Sequence, residues 1–531
     1  MSFTTLTFVL FAALTVLVYY LVPARAQWVV LLAASGLFYA AAGGWYLPFI
    51  LLTIASTYTV ARLIARHAAR DEAYLAEHKG EMAKEERKAY KAAGKRRRFT
   101  MLTLGLVFNF GMLGVLKYTG FTLESINGIL SLFGAGTLPV PSLILPLGIS
   151  FYVFRSTAYI IDVYRGKTEA ATNVAKYALF VSFFPAVTQG PISRYADLAP
   201  QLCAPHKAEW SHLSAGFVRV LWGYFKKLVI ADTVMVAVRA IVATPDRYEG
   251  MYVFLLIILY SAAIYGDFTG GIDVTIGYAR MLGLTVQENF KHPFSSRNTA
   301  EYWNRWHITM GSWFTDYVFY PLSICHPMQK FSKWSRAHLG KAVGIRMPVY
   351  LATLVTWFLT GLWHGASWNF IVWGLLNGVV ILVSRECEPL YAKFHKRFPK
   401  LGETSGYGYF CAVRTFLLMG SIRILDCYRD VPVTARAFGS IFWRFDTWRE
   451  LFDGRAMTEL ELSVPAWIVV GCAVIAVFFV SRAGKKSPVA DRLVHRPVLW
   501  TVTCSVLVLV ILLFGSYGIG FDAGDFIYGQ F

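Results

Sequence analysis

The sequence predicts an all-α, polytopic integral membrane protein, and three observations carry that prediction. Hydrophobic residues make up 56% of the 531 residues and mean hydropathy is +0.48, far too apolar for a soluble enzyme of this length. Apolar stretches close to the roughly 20 residues that cross a bilayer recur from one end of the chain to the other. The basic residues behind the formal net charge of +19 are parcelled into the loops between these stretches. A nucleic-acid binder would gather them on one polar domain. Spread loop by loop they read as the positive-inside bias, so they imply membrane lipids as the partner and no nucleic acid.

Taken in order, the candidate spans cover 3–22, 27–43, 45–65, 99–117, 143–161, 213–239, 251–266, 348–363, 367–384, 408–425, 464–481 and 498–518. Backbone groups in hydrocarbon must bond internally, so each is expected to be a helix. Shorter apolar runs near 172–188 and 272–284 are broken by Pro185, Gly190, Gly270, Gly271 and Gly277, and are expected to be re-entrant half-helices shielded by protein. Span length therefore predicts about 11–13 helices with re-entrant segments. All belong to one membrane domain, 1–531: N-terminal spans (1–66), a cytoplasmic basic helical loop (67–98), a central core (99–384) and C-terminal spans with a tail (385–531). Ala24, Arg25 and Ala26 imitate a signal-peptide cleavage site, but no Lys or Arg precedes Arg25, so the first span is expected to be retained. The seven cysteines are scattered without a CxxC and read as small apolar packers, not as a disulfide framework or zinc knuckle.

Residues 62–98 hold twelve Lys or Arg against six acids. With three spans before them, the positive-inside rule puts them in the cytoplasm and the N-terminus outside. The same count, with 172–188 re-entrant, leaves the C-terminus outside as well. Mixed charges at helical spacing over 67–98 predict a helical hairpin, either lying near the headgroups or simply solvated and fixing topology. A second amphipathic stretch, 434–456, is aromatic on one face and charged on the other, as befits a membrane-plane anchor or a partner contact.

Two histidines among tryptophans are the main candidates for chemistry: His307 in YWNRWH (302–307) and His364 in LWHGASW (362–368). The indoles of Trp306 and Trp363 supply apolar walls, and Gly365 allows close approach to the backbone beside His364. A desolvated, neutral imidazole is a suitable general base for a thiol or hydroxyl, and the alternative is a structural imidazole bonded to a neighbouring helix. Unusual polar residues, among them Arg155, Asp162, Gln189, Arg194, Asp267, Asp273 and Arg280, fall between 146 and 368. Charges at such depth either pair across helices or line a water-filled cavity. The two histidines are 57 residues apart with no HExxH spacing and no obvious third ligand, so no metal site is expected. The chain has no GxSxG elbow, phosphate-cradling loop or dinucleotide fingerprint, and acyl transfer is the best remaining chemistry.

These residues resemble the membrane-bound O-acyltransferase family, and within it the bacterial alginate O-acetylase branch. The similarity runs from PLGISF at 146 through ENFKHPFSSRNTAEYWNRWHITMGSWFTDYVFYPL (288–322) to FLTGLWHGASWNFIVWGLLNG (358–378). Its most specific part is the combination of RWH with GLWHGASW. One departure follows YPL, where this chain reads SICHPMQK (323–330) and the branch carries a glycine-rich Asn-Arg turn. The resemblance implies a bowl of tilted helices with a central tunnel, in the bacterial inner membrane, leading from a cytoplasmic donor side to an outer acceptor side. It implies His364 as the catalytic histidine and His307 as the second motif histidine. It further implies acetyl-CoA as donor substrate with no bound cofactor, an extracytoplasmic acetyltransferase partner, and a cell-surface glycan such as an alginate-like polymer or peptidoglycan as final acceptor.

The chain ends FIYGQF (526–531), which is similar to the terminal motif of this branch and of the small partner peptide in teichoic-acid D-alanylation. That likeness makes Tyr528 a candidate acyl receiver, beside its plain reading as an interfacial aromatic residue. On the acyl-transfer reading His364 is the base, His307 steadies the oxyanion, and Arg155, Arg194, Asp267, Arg305, Trp306 and Trp363 shape the substrate tunnel. Two alternatives stay open. One is D-alanyl transfer from a carrier-protein thioester; the other is a transporter or flippase of an acyl or glycan intermediate, since broken helices with buried charge also suit alternating access.

Overall fold

The computed structural model describes residues 2–484 and 487–517, so Tyr528 lies outside the described residues. Among the described residues every regular element is a helix, and the only β feature is an isolated antiparallel bridge between Phe290 and Trp306. Eight of these helices are long and apolar enough to cross a membrane: Ala24–Ala42, Gly44–Glu77, Lys84–Leu132, Met251–Met281, Gly340–His364, Trp368–Glu386, Val464–Ala483 and Pro497–Phe514. Leu6–Leu21 is a shorter apolar helix. The spans expected at 143–161, 213–239 and 408–425 are helical too, as Ile149–Tyr164, as Trp210–Tyr224 continuing to Asp232–Ala243, and as Ser405–Tyr428. They carry buried Arg155, Lys226 and Arg423, which lowers their hydropathy without preventing their burial. The chain is thus an all-α polytopic membrane protein, organised as two compact units.

The first unit is Met1–Leu213 with Tyr278–Val286. Leu47–Glu77 and Lys84–Leu132 run on past their apolar spans, so the basic stretch 67–98 consists of the ends of two long helices and the turn between them. Asp71 binds Arg97 at 2.6 Å and also Arg98, and a side chain on Gly94 would strike that carboxylate. The segment expected to be re-entrant is a short helix, Val174–Ser182, a 3-10 turn, Phe184–Ala186, and irregular backbone that stays buried to residue 193. Irregular backbone at such depth needs partners within the protein. Arg155 supplies them, donating from Nη1 to the Phe180 carbonyl at 3.0 Å and from Nη2 to the Ala186 carbonyl at 2.7 Å, while Phe184 N–H donates to Ser35 Oγ at 3.1 Å.

The second unit is Ser214–Gly277 with Gln287–Phe531, and it corrects one expectation. The run 272–284 is not a separate half-helix. Helix Met251–Met281 continues unbroken for 31 residues through Gly270, Gly271 and Gly277. Three of its glycines are sites of close backbone approach: a Cβ would stand 2.8 Å from the Lys226 carbonyl at Gly266, from the Gly223 carbonyl at Gly270 and from the Gly216 carbonyl at Gly277. Small residues let two helices touch backbone to backbone in a membrane, which outweighs their poor intrinsic helix propensity. The facing helix, Trp210–Tyr224, passes into a π-helical turn, Phe225–Ala231, before Asp232–Ala243. That wider turn brings two consecutive lysines, Lys226 and Lys227, against carboxylates of helix Met251–Met281.

The amphipathic stretch 434–456 also differs from a single helix. It divides among Val431–Ser440, the 3-10 turn Phe445–Thr447, Trp448–Phe452 and Arg455–Glu459. The break has a structural cause. Ser440 Oγ accepts from Gly250 N–H at 2.7 Å and Thr447 Oγ1 from Met251 N–H at 2.9 Å, so two side chains of the stretch satisfy the open N-terminus of helix Met251–Met281.

Candidate active site

The site grows from a strained turn. Asn298 caps the short helix Thr299–Trp303, accepting from Glu301 N–H at 2.8 Å, and the chain then turns through His307 into helix Ile308–Phe314. His307 adopts the left-handed region with φ 49°, uncommon for a non-glycine residue. The turn is held from both sides: Lys291 N–H donates to the Arg305 carbonyl at 2.9 Å and Ile308 N–H to the Asn289 carbonyl at 3.0 Å, around the Phe290–Trp306 bridge. Such backbone strain persists only where the surroundings over-determine it, and it concentrates at functional sites.

His307 lies outside the eight candidate spans and is fully buried. Burial holds its pKa well below the ordinary imidazole range, so the ring is neutral. Its tautomer follows from Asn289. The amide oxygen Oδ1 accepts from Thr309 N–H and from Thr309 Oγ1, both at 3.0 Å, and the amide nitrogen faces His307 Nδ1 at 3.3 Å. Oδ1 also lies 3.4 Å from Nδ1, but its two lone pairs are taken by the Thr309 donors; the amide nitrogen only donates, so Nδ1 accepts and the ring proton is assigned to Nε2.

His364 is the last residue of helix Met347–His364 and is half-buried. At Gly365 a side chain would collide with the Phe370 ring, and at Gly361 and Gly374 with carbonyls of Phe370 and Trp357. These glycines bring helix Trp368–Glu386 close against its predecessor and place its rings beside His364. The imidazole lies 4.9 Å from Trp363, 4.7 Å from Trp373 and 6.3 Å from Phe370, centroid to centroid.

Trp363 also lies 5.9 Å from His307, so one indole is a wall for both imidazoles. From His364 the ring contacts continue through Trp373 to Trp303 at 5.8 Å, Tyr302 at 5.4 Å and Trp306 at 5.7 Å. They close through Phe268, 6.2 Å from Trp306 and 4.8 Å from His307. Both histidines therefore belong to a single closed circuit of aromatic contacts.

The other expected site residues fall into distinct places. Trp306 and Trp363 are members of the circuit. Asp267 adjoins Phe268 in sequence but is engaged by Lys227 at 2.6 Å. Lys227 also binds Asp232 at 2.9 Å, Lys226 binds Asp273 at 2.7 Å, and Arg219 spans Asp273 at 2.9 Å and Glu288 at 2.6 Å. Arg305 is part-exposed and held by Glu301 at 2.5 Å and Ser295 Oγ at 2.9 Å. Arg155 and Arg194 belong to the first unit, Arg155 supporting the irregular segment and Arg194 preceding helix Tyr195–Cys203.

Two residues of the enclosure escaped the sequence reading. Asn289, which sets the His307 tautomer, sits unremarked in the ENF that opens the motif stretch. Arg423 stacks its guanidinium over Trp306 at 4.2 Å and donates to the Tyr302 hydroxyl. A cation inside the apolar stretch 408–425 was the signal for it.

Comparison with known proteins gives the family. Residues 170–422 match the model of MBOAT, the membrane-bound O-acyltransferase family. A probable alginate O-acetylase AlgI of Azotobacter vinelandii is 35% identical over 382 residues, covering 71% of this chain and 67% of that protein. A peptidoglycan O-acetyltransferase of Helicobacter pylori is 30% identical, covering 70% of this chain and 67% of that one. A teichoic acid D-alanyltransferase of Bacillus subtilis is 28% identical over 265 residues, 49% of this chain and 63% of that protein. With its multiple spans and its paired histidines, this chain belongs to the membrane-bound O-acyltransferase family and is an O-acyltransferase.

Proposed function

We propose that this enzyme takes acetyl from acetyl-CoA on the cytoplasmic side of a bacterial inner membrane and delivers it for O-acetylation of a cell-surface polysaccharide, an alginate-like polymer or peptidoglycan. Both termini face outside in this reading. The observation that carries it is the aromatic circuit holding a half-buried His364 and a buried, neutral His307 on either side of Trp363.

His364 acts as general base. It takes the proton of the attacking hydroxyl as the oxygen bonds to the thioester carbonyl carbon. Negative charge then develops on the carbonyl oxygen, and the Nε2–H that Asn289 enforces on His307 donates to it. Collapse breaks the carbon–sulfur bond, the proton held by His364 goes to the departing thiolate, and an ester and a free thiol result. The indoles exclude water, which protects the thioester from hydrolysis. Arg155 and Arg194 are proposed to line the substrate path, Asp267 and Arg305 to shape it as scaffold, through Lys227 and the His307 turn and without touching substrate, and Tyr528 to receive the acetyl group and present it to an extracytoplasmic transferase. Covalent relay divides one difficult transfer into two easier ones.

The test uses purified full-length protein with radiolabelled acetyl-CoA or with D-alanyl carrier protein. Transfer of acetyl that disappears in His364→Ala supports the reading, and acyl-tyrosine in the C-terminal peptide by mass spectrometry supports the relay. Unchanged transfer in His364→Ala overturns the base assignment. Turnover of D-alanyl carrier in place of acetyl-CoA replaces the donor, an alternative favoured by the likeness to teichoic acid D-alanyltransferases. Neither thioester being consumed returns the chain to the transporter reading.

A further inference from the structure

A second, unassigned site lies in the same unit; neither His307 nor His364 lines it, and it adjoins the aromatic circuit through Phe290 and Phe294, which contact Trp306. A cavity of about 340 Å³ opens among helices Met251–Met281, Ser405–Tyr428 and Val464–Ala483. It joins a smaller cavity of about 130 Å³ through four shared residues, Tyr265, His292, Val477 and Ser481. The larger is within the range of small-molecule sites, roughly 300–1,000 Å³. Its rim residues Tyr409, Val474 and Phe478 are exposed, and two of its three walls are candidate membrane spans, so its mouth opens onto hydrocarbon.

The groove sorts polarity along its length. On helix Met251–Met281 the lining passes from Ile258 and Ala262 to Thr269 and Asp273, and on helix Val464–Ala483 from Val474 to Ser481 and Arg482. Both walls turn polar in the same sense, and on the second the change falls in the last turn of a span, where hydrocarbon gives way to headgroups. At that polar end His292 Nδ1 and Ser481 Oγ are 2.5 Å apart. Arg219 and Lys226 of the smaller cavity are already compensated by Asp273 and Glu288, whereas Arg482 adds a cation at the rim.

We propose that this groove holds one phospholipid of the surrounding bilayer, an acyl chain along Ile258, Ala262 and Val474 and the phosphate at Arg482, beside the His292–Ser481 pair. An apolar channel that ends in a cationic, hydrogen-bonding pocket at headgroup depth complements an anionic amphiphile and no purely apolar ligand. A lipid seated there also seals the polar cavity, and with it the ion pairs that Arg219 and Lys226 make with Asp273 and Glu288, from the hydrocarbon.

The experiment is photolabelling of the full-length protein in phosphatidylethanolamine vesicles containing trace phosphatidylglycerol with a diazirine in one acyl chain, followed by peptide mapping. Labelling of 258–266 and 474–478 is expected several-fold above that of 506–513, a largely exposed stretch of span Pro497–Phe514. Val477→Trp, which fills the groove, is expected to bring it down to the level of that span, and Arg482→Ala to reduce it several-fold. Diazirine-bearing diacylglycerol, which lacks the phosphate, is expected to label the groove weakly, a readout that needs no variant to fold. Even labelling of all spans, equal labelling by the two lipids, or a second polypeptide cross-linked to 474–478 in place of lipid overturns the proposal.

Discussion

The histidine enclosure and the ion ladder of the second unit are close in sequence, yet they handle buried polarity in opposite ways. In the ladder, Arg219, Lys226 and Lys227 are matched to Asp232, Asp267, Asp273 and Glu288 at 2.6–2.9 Å. Each charge contacts an opposite one, and the Lys226–Asp273 and Lys227–Asp267 pairs join the π-helical turn to helix Met251–Met281. In the enclosure the two imidazoles proposed to react lie among rings, and the buried one, His307, is neutral and bonded to one amide. Depth alone therefore does not identify the chemical centre. Ions that satisfy one another hold helices together, while a neutral, desolvated base in a shaped apolar wall is prepared to act on a substrate.

Five substitutions test that division, and the largest effect is expected at His364. His364→Ala should lower acetyl transfer by about 10²–10⁴, the usual contribution of a positioned general base, with unfolding temperature in detergent unchanged. Asn289→Asp comes next. A carboxylate still accepts both Thr309 bonds but takes the His307 proton on Nδ1, leaving Nε2 an acceptor. Loss of one oxyanion donor predicts a fall in kcat of about 10²–10³ with little change in KM. A rise in KM at constant kcat would show instead that His307 serves ground-state binding.

The ladder should respond in stability and not in chemistry. Lys227→Ala leaves Asp232 and Asp267 without their shared cation and is expected to cost about 3–5 kcal/mol, measured by thermal unfolding of the solubilised protein. Lys227→Met combined with Asp232→Leu and Asp267→Leu should recover much of that loss, because it removes the cation together with both carboxylates it binds. If Lys227→Ala folds normally but loses transfer, the ladder belongs to the reaction and the contrast fails. Smaller still is Gly270→Ala, whose Cβ would stand 2.8 Å from the Gly223 carbonyl. Overpacking there should cost about 1–3 kcal/mol, whereas Gly111→Ala, with open space around it, should be neutral or stabilising.

What the sequence revealed follows from which signals are local. Apolar length marks a span without reference to any neighbour, so the all-α polytopic class and most helix positions were legible. The histidines were legible because the RWH and GLWHGASW contexts are contiguous. Gly270, Gly271 and Gly277 misled, since a glycine that breaks a helix and one that lets another backbone approach look alike until the facing helix is known. Asp267 was visible as a buried charge, but its engagement by Lys227 from 40 residues away depends on a π-helical turn with no sequence signature. Asn289 was hidden for the same reason: its role lies in one amide shared between Thr309 and His307.

Arg305 gives the smallest effect and the finest test of the contrast. It belongs to the RWH motif, yet its side chain is a third exposed and engaged with Glu301 and Ser295, while its backbone carbonyl holds the turn through Lys291. An ion pair this exposed is worth about 0–1 kcal/mol, and the backbone bond survives any side-chain change. Arg305→Gln should therefore leave unfolding temperature nearly constant, kcat within about twofold given so small a local term, and KM for acetyl-CoA unchanged. The sensitive outcome is KM. Acetyl-CoA carries phosphates, so a guanidinium that met the donor would show its loss as weakened binding that grows with ionic strength in the parent and not in the variant. A tenfold rise in KM corresponds to about 1.4 kcal/mol of lost binding, more than the Glu301 pair can supply. It would move Arg305 from the scaffold of the turn to the donor path, and extend the reactive region from the ring-lined enclosure to a charged entrance.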